Sequence, residues 1–111
     1  MDNQFDPNNK IIQLLLQGMG MEDSGKPEEA SLLFLKAWSE ATADFEKFIA
    51  AYYVARHQKN VSDKLKWFET SFQFALKVND EAVKSAFPSL YLNIAKCYEA
   101  LSDPDKAKKY V

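Results

Sequence analysis

The apolar residues of this chain recur three and four positions apart, and this spacing predicts helices with one buried face. The spacing is clearest in Ile11, Ile12, Leu15 and Met19, and again in Leu90, Ile94, Ala95 and Tyr98. No stretch alternates apolar and polar residues for long, as a half-buried strand would. Because only three Gly and four Pro interrupt 111 residues, the pattern predicts an all-α chain.

Proline, glycine and capping side chains mark the ends of the predicted helices. Asp6-Pro7 is expected to open the first helix, and Gly25 to follow its end in the left-handed conformation. Further helices are expected to start at Pro27, Asp44, Asn60 or Ser62, Ser89 and Asp103-Pro104. The apolar spacing continues weakly through 82–86, which would prolong the fourth helix. Pro88 should then end it, because the residue before a proline disfavours helical geometry.

The helical segments also repeat along the chain. Leu14, Gln17, Gly18 and Met21 are followed by Ala30 and Phe34, and the last segment repeats the spacing with Tyr91, Ile94, Ala95, Tyr98 and Ala107. This pattern resembles the tetratricopeptide repeat, which has about 34 residues and the form W-x2-L-G-x2-Y…A-x3-F…P. The resemblance implies stacked antiparallel helix hairpins in a short right-handed solenoid, with about five full helices and a partial sixth. A nonrepetitive helical bundle shares the same periodicity and remains the alternative.

The repeat divides the chain into a flexible leader, 1–10, and one helical domain, 11–111. Its units are 11–44, 45–78 and an incomplete 88–111, with an insertion at 79–87 expected to lengthen the preceding helix by about two turns. Tyr52 falls where a small residue is needed, so the middle hairpin should be splayed or shifted in register by one residue. The last helix, 106–111, should continue further, or else leave apolar surface near Leu92 and Tyr98 for a partner to cover.

The block Tyr53 to Gln58 also resembles small stand-alone bacterial tetratricopeptide proteins, some of which are described as rRNA adenine methyltransferases. A methyltransferase of the usual kind needs a parallel sheet and a Gly-rich turn to hold its nucleotide cofactor. Here Gly18 and Gly20 lie inside a helical pattern. We therefore expect no methyl transfer from this chain alone, although a partner could supply the sheet.

Charge and cysteine content exclude further classes of protein. The 14 basic and 16 acidic residues are mixed along the chain, which argues against a nucleic-acid binder despite a local cluster of Lys64, Lys66 and Trp67. One cysteine excludes an internal disulfide and a cysteine-based zinc cage. No apolar run is long enough to cross a bilayer, and no secretory signal is visible, so the cytoplasm is the expected location.

Few residues suggest catalysis. His57, the single histidine, could act as a base or anion contact with Arg56 and Glu46 or Asp44, or it could simply complement a helix C-terminus. Cys97 could be activated by a nearby lysine or could be an ordinary buried thiol. No second His or Cys offers a metal site, and no Ser/His/Asp grouping, P-loop or HExxH is present. The sequence predicts no enzyme, no metal and no cofactor.

The tetratricopeptide resemblance implies a concave groove that binds a peptide or a partner helix. The repeat places these residues in the groove: Leu15, Met19, Ile49, Tyr53, Arg56, His57, Leu92, Asn93 and Lys96. The apolar members are equally candidates for the core. Cochaperones of this family clamp a C-terminal carboxylate, but the matching positions here lack the needed donors: Leu15, Met19, Ala50, Ser89 and Asn93.

The function expected from the sequence is therefore a non-catalytic protein–protein interaction module, an adaptor or scaffold. The alternatives are a self-associating structural protein, such as a homodimer, and a non-catalytic subunit of an enzyme such as an RNA-modifying methyltransferase.

Overall fold

Helices joined by short turns make up most of the chain in a computed structural model that describes residues 6–110 (only the backbone for Pro104 and Tyr110). The helices are α1 Lys10–Asp23, α2 Pro27–Glu40, α3 Asp44–Arg56, α4 Val61–Lys77, α5 Glu81–Lys84, α6 Phe87–Ala100 and α7 Pro104–Ala107, followed by a 3-10 turn, Lys108–Tyr110. No strand occurs among residues 6–110, which confirms the all-α prediction. Residues 1–5 of the predicted leader, and Val111, lie outside the described residues.

Helix α1 starts later than predicted. Asn9, not Asp6, caps it: the Asn9 side chain accepts from the backbone N–H of Ile11 at 2.7 Å and of Ile12 at 3.2 Å. Asp6 instead accepts from the N–H of Asn8 at 2.9 Å within the preceding turn, so its side chain is used before the helix begins. The other end is as predicted, because Gly25 has a left-handed φ of 74°.

Helices α1 and α2 form an antiparallel hairpin. Lys10 at the start of α1 lies 2.8 Å from the Glu40 carboxylate at the end of α2. Between them, a Cβ atom on Gly18 would lie 2.4 Å from Cε1 of the buried Phe34. Gly18 therefore lies where the ring of Phe34 leaves no room for a larger residue.

Helix α3 begins at Asp44, the residue that was predicted to cap it. The cap is instead made by Glu46, whose carboxylate accepts from the backbone N–H of Thr42 at 3.0 Å and of Ala43 at 3.2 Å. The other Glu46 oxygen accepts from the Asn9 side chain at 2.9 Å, which ties the start of α3 to the start of α1. Burial raises the pKa of Glu46, but these hydrogen bonds outweigh it and the pKa is lowered overall.

The predicted extension of the fourth helix is wrong. Helix α4, capped by Asn60 as one prediction had it, ends at Lys77, and the chain is extended at Val78 and Asp80. The Asp80 side chain accepts from the N–H of Ala82 at 2.7 Å and starts the separate short helix α5. A side chain that caps a new helix competes with continuation of the preceding helix. Here the cap at Asp80 ends the helix, although the weak apolar spacing continues through 82–86.

Pro88 marks a boundary, but not as expected. It lies in the first turn of α6, whose first residue is Phe87 rather than Ser89. A proline is tolerated there because the first N–H groups of a helix have no partner within the helix.

Apart from the short helix α5, each helix packs mainly on the helix before or after it: α1 on α2, α2 on α3, α3 on α4, α4 on α6 and α6 on α7, while α1 also touches α3. In the middle hairpin the Ser71 hydroxyl donates to the Phe48 carbonyl at 2.8 Å in the core. Ala51 is fully buried, whereas Tyr52 is half-buried with its ring edge against Phe68. No helix among the described residues is long and apolar enough to cross a membrane.

Candidate functional site

The C-terminus of α3 meets the C-terminus of α1 through a histidine and a glutamate. Nε2 of His57 lies 2.6 Å from Oε2 of Glu22, and because a carboxylate only accepts, the imidazole N–H donates. Both side chains are largely enclosed, at 14% and 20% exposed. The bond fixes the His57 ring at the point where three helices converge.

Aromatic and cationic side chains extend this contact into a cluster. Arg56 Nη2 lies 3.5 Å from the same Glu22 oxygen, and its guanidinium lies 5.1 Å from the centre of the Tyr53 ring. Phe34 of α2 stacks on Tyr53 at 5.0 Å between centroids and on His57 at 5.3 Å. We call these residues the Glu22–His57 cluster: Glu22, Phe34, Tyr53, Arg56 and His57.

The cluster is electrostatically balanced. Burial raises the pKa of the Tyr53 phenol, Arg56 opposes this rise, and Glu22 adds to it. The Tyr53 hydroxyl therefore stays protonated and neutral over the physiological range. One carboxylate accepts from an imidazole and faces a guanidinium, so the charges within the cluster are paired with each other. Phe34 is fully buried, and Arg56 is the most exposed member, at 43% of its side chain.

A pocket of about 310 Å³ opens on the α2 side of His57. We call it the α2–α3 pocket; its lining residues are Pro27, Glu28, Ser31, Leu32, His57 and Lys59. Leu32 is 68% exposed, more than any other large hydrophobic side chain that the structure describes. The pocket thus combines an apolar rim with a few placed polar groups, as small recognition sites do.

The chemistry available in this pocket is limited. Ser31 and His57 both line it, but no hydrogen bond joins them in the part of the chain that the structure describes. His57 has its Nε2 on Glu22, so the arrangement holds the imidazole in place without presenting an activated nucleophile. No group of three or more potential metal ligands occurs among residues 6–110.

The structure corrects the predicted partner of His57. Glu46 and Asp44 lie at the first turn of α3, a helix of 13 residues, and His57 lies just beyond its last turn. A rise of about 1.5 Å per residue puts them roughly 20 Å away. Glu22, whose place in the sequence indicates only a helix end or a solvated face, is the actual partner. It stands 35 residues before His57, on a different helix, so no local spacing indicates the contact.

The predicted groove residues do not form one continuous surface. Leu15 is 1% exposed and belongs to the core, because it faces the other helices from the middle of α1; its assignment to a groove is wrong in this structure. Met19 and Ile49 are partly buried against the core. Tyr53, Arg56 and His57 are brought together in the Glu22–His57 cluster.

The remaining predicted residues lie on α6. Leu92 is 54% exposed, and Asn93 and Lys96 line a second pocket, between α4 and α6. Cys97 lines it too and is otherwise buried. Burial raises the pKa of the Cys97 thiol by more than Lys64 lowers it. The protonated thiol is therefore favoured.

Comparisons with known proteins identify no relative: no family model, no curated protein and no solved structure matches the chain.

Proposed function

We propose that this chain is a non-catalytic protein–protein interaction module that binds a segment of a partner protein at the α2–α3 pocket. The observation that carries the proposal is Leu32, which is 68% exposed and lines a pocket of about 310 Å³ together with the His57 side chain. A bond of 2.6 Å to Glu22 holds that ring in place before any ligand arrives. A fixed wall lowers the entropic cost of binding, because little has to be ordered.

The pocket suits one large apolar side chain. Pro27 and Leu32 supply apolar surface, and Ser31, His57 and Lys59 supply polar groups that can orient a backbone or a terminal group. The net charge of −2 adds no strong field that would favour nucleic acid. We therefore propose an adaptor or scaffold, and the cytoplasm as its location.

We further propose that the hairpins are stacked as a short tetratricopeptide-like solenoid. Packing of consecutive helices on each other, with α5 left aside and with an added α1–α3 contact, supports this proposal. The close approach of Gly18 to Phe34 also supports it, because the repeat needs a small residue at that position. Such arrays commonly present concave surfaces to extended segments.

Self-association is the second candidate, and exposed leucines favour it. Leu32 and Leu35 lie three residues apart on α2, at 68% and 39% exposed, so they share one face of the helix. A second copy of the chain could cover this face.

Site-specific photo-crosslinking in the host cell distinguishes these functions. We would place p-benzoyl-phenylalanine at Leu32, and at Leu76 on α4 as a control of similar exposure. The proposal expects a crosslink to a different protein from position 32 and none from position 76. A crosslink to a second copy would establish self-association instead. No crosslink at position 32, or identical products from both positions, would contradict segment binding at this pocket.

A further inference from the structure

A second pocket, of about 200 Å³, lies between the start of α4 and the last turns of α6. We call it the α4–α6 pocket; its lining residues are Val61, Lys64, Phe68, Asn93, Lys96, Cys97 and Ala100. Its volume is below the 300–1,000 Å³ typical of cofactor and drug-sized ligands. It fits one side chain of a partner.

Two of the residues that line this pocket are lysines, Lys64 and Lys96. Lys64 and Lys96 form no ion pair with any carboxylate among residues 6–110. By contrast Lys10, Lys84 and Lys106 are each paired with an acid. Lys64 is half-buried, so its charge acts in a setting less screened than open water.

No acid among residues 6–110 pairs with either lysine. Glu69 accepts from the Tyr98 hydroxyl at 2.8 Å and does not line the pocket. Asp63 and Glu99 are sequence neighbours of the two lysines, but neither lines the pocket nor pairs with them. Burial has the largest effect on the pKa of the Cys97 thiol and raises it, while Lys64 lowers it and Glu69 raises it by less than Lys64 lowers it.

The two pockets share one loop. Lys59 lines the α2–α3 pocket and Val61 lines the α4–α6 pocket, and only one residue separates them. Their Cα atoms are therefore at most about 7 Å apart, because each residue spans at most about 3.6 Å. The two pockets therefore adjoin the same turn, between α3 and α4.

We propose that the partner segment places an Asp or Glu side chain in the α4–α6 pocket, between Lys64 and Lys96, while its apolar side chain occupies the α2–α3 pocket. This inference rests on the proposed function and adds the chemistry of the partner: an apolar residue with an acidic residue a few positions away. A carboxylate between two ammonium groups gains charge-assisted hydrogen bonds on both sides. Phe68 and Val61 would cover the methylene groups of the acidic side chain.

Display of random 12-residue peptides tests the inference. The peptides are fused through their C-termini, so that only side-chain carboxylates are available. The targets are the wild type, Lys64→Gln/Lys96→Gln, and a control that removes two other exposed lysines, Lys66→Gln/Lys108→Gln. Thermal unfolding checks that every variant is folded.

Peptides selected by the wild type and the control should share a large apolar residue and a nearby Asp or Glu. The variant Lys64→Gln/Lys96→Gln should keep the apolar preference, lose the acidic one, and bind a wild-type-selected peptide about tenfold or more weakly. An acidic preference that survives in this variant, or is absent from the wild type, would overturn the inference while leaving the proposed function standing. If no peptide is enriched by any target in either fusion orientation, the proposed function fails, and the inference fails with it. If peptides bind only when the fusion is reversed, so that their C-terminus is free, the pocket binds a terminal carboxylate. That result also overturns the inference of a site for an acidic side chain.

Discussion

A Cβ atom on Gly18 would lie 2.4 Å from Cε1 of Phe34, closer than any side chain tolerates without movement. Phe34 has no exposed surface and stacks on Tyr53, so its ring has no free space to move into.

We therefore expect Gly18→Ala to lower the free energy of unfolding by about 1–3 kcal/mol, as overpacking does, even though alanine favours helices. Gly20→Ala is the matched control. It lies in the same helix with nothing within 4 Å of the added Cβ, so it should stabilise by about 1 kcal/mol. Urea unfolding measures both. A stabilised Gly18→Ala would mean that the ring packs differently from the contact described.

The side chains of Glu22 and His57 are expected to be energetically coupled through their hydrogen bond. They are 20% and 14% exposed, so a double-mutant cycle with Glu22→Ala and His57→Ala should give a coupling energy of about 1–2 kcal/mol at neutral pH. The control pair is Glu81 and Lys84, which lie 3.5 Å apart on the surface and should couple by less than about 0.5 kcal/mol. Equal coupling in the two pairs would remove the argument that Glu22 holds the pocket wall.

Glu46 should make the fold sensitive to acid. Burial raises its pKa, but the hydrogen bonds from Asn9, Thr42 and Ala43 lower it below 4.5 overall. A group with a lowered pKa in the folded state contributes stability above its unfolded pKa, and that contribution is lost as the pH falls through the folded value. Glu46→Gln should therefore show a smaller loss of stability on going from neutral pH to below 4.5. The control Glu28→Gln removes one exposed carboxylate without those bonds. Parallel pH profiles for wild type and Glu46→Gln would argue against the cap.

Cys97 should react slowly in the folded protein. Its side chain is 4% exposed and burial raises the pKa of its thiol, so little thiolate is present and access is poor. At pH 8, alkylation by iodoacetamide should be at least about tenfold slower than in the guanidinium-unfolded chain. Ser62→Cys on a background of Cys97→Ala supplies an exposed thiol for comparison. If Cys97 in the folded protein alkylates as fast as that thiol, it is activated rather than buried.

Ser71 should contribute through a single buried hydrogen bond. Its hydroxyl donates to the Phe48 carbonyl at 2.8 Å and has no exposed surface. Ser71→Ala is expected to destabilise by about 1 kcal/mol in chemical unfolding. Ser85→Ala, which removes an exposed bond to the Ala82 carbonyl, should change stability by less than about 0.5 kcal/mol. A neutral Ser71→Ala would show that the two middle helices do not depend on this contact.

Local signals in the sequence predict much of the helical framework. Gly25, Pro27 and Asn60 each mark a boundary through a property of that residue alone: a left-handed φ, a fixed φ, or a capping oxygen. The prediction fails at Asp80, where weak apolar spacing suggested a continuous helix but the side chain starts a new one. The spacing of apolar residues predicts which face of a helix is buried. It does not predict where a capping side chain ends one helix and starts the next.

The candidate site was harder to predict than the helices. Tyr53, Arg56 and His57 were predicted to lie in one groove, and they lie close together because they fall within about one helical turn. Glu22 and Leu32 were missed, since their positions relative to His57 depend on how separate helices pack. Leu15 was placed on the surface by the repeat, but packing from the other helices encloses it.

The Phe34 ring of α2 connects α1 with the C-terminal end of α3. It contacts Gly18 of α1 on one side, and Tyr53 and His57 at the end of α3 on the other. The first hairpin therefore cannot open without removing a support of the α2–α3 pocket. A segment bound in that pocket would slow amide hydrogen exchange in α1, although it touches no residue of that helix. Occupancy of the pocket would thus be measurable as protection of a distant backbone.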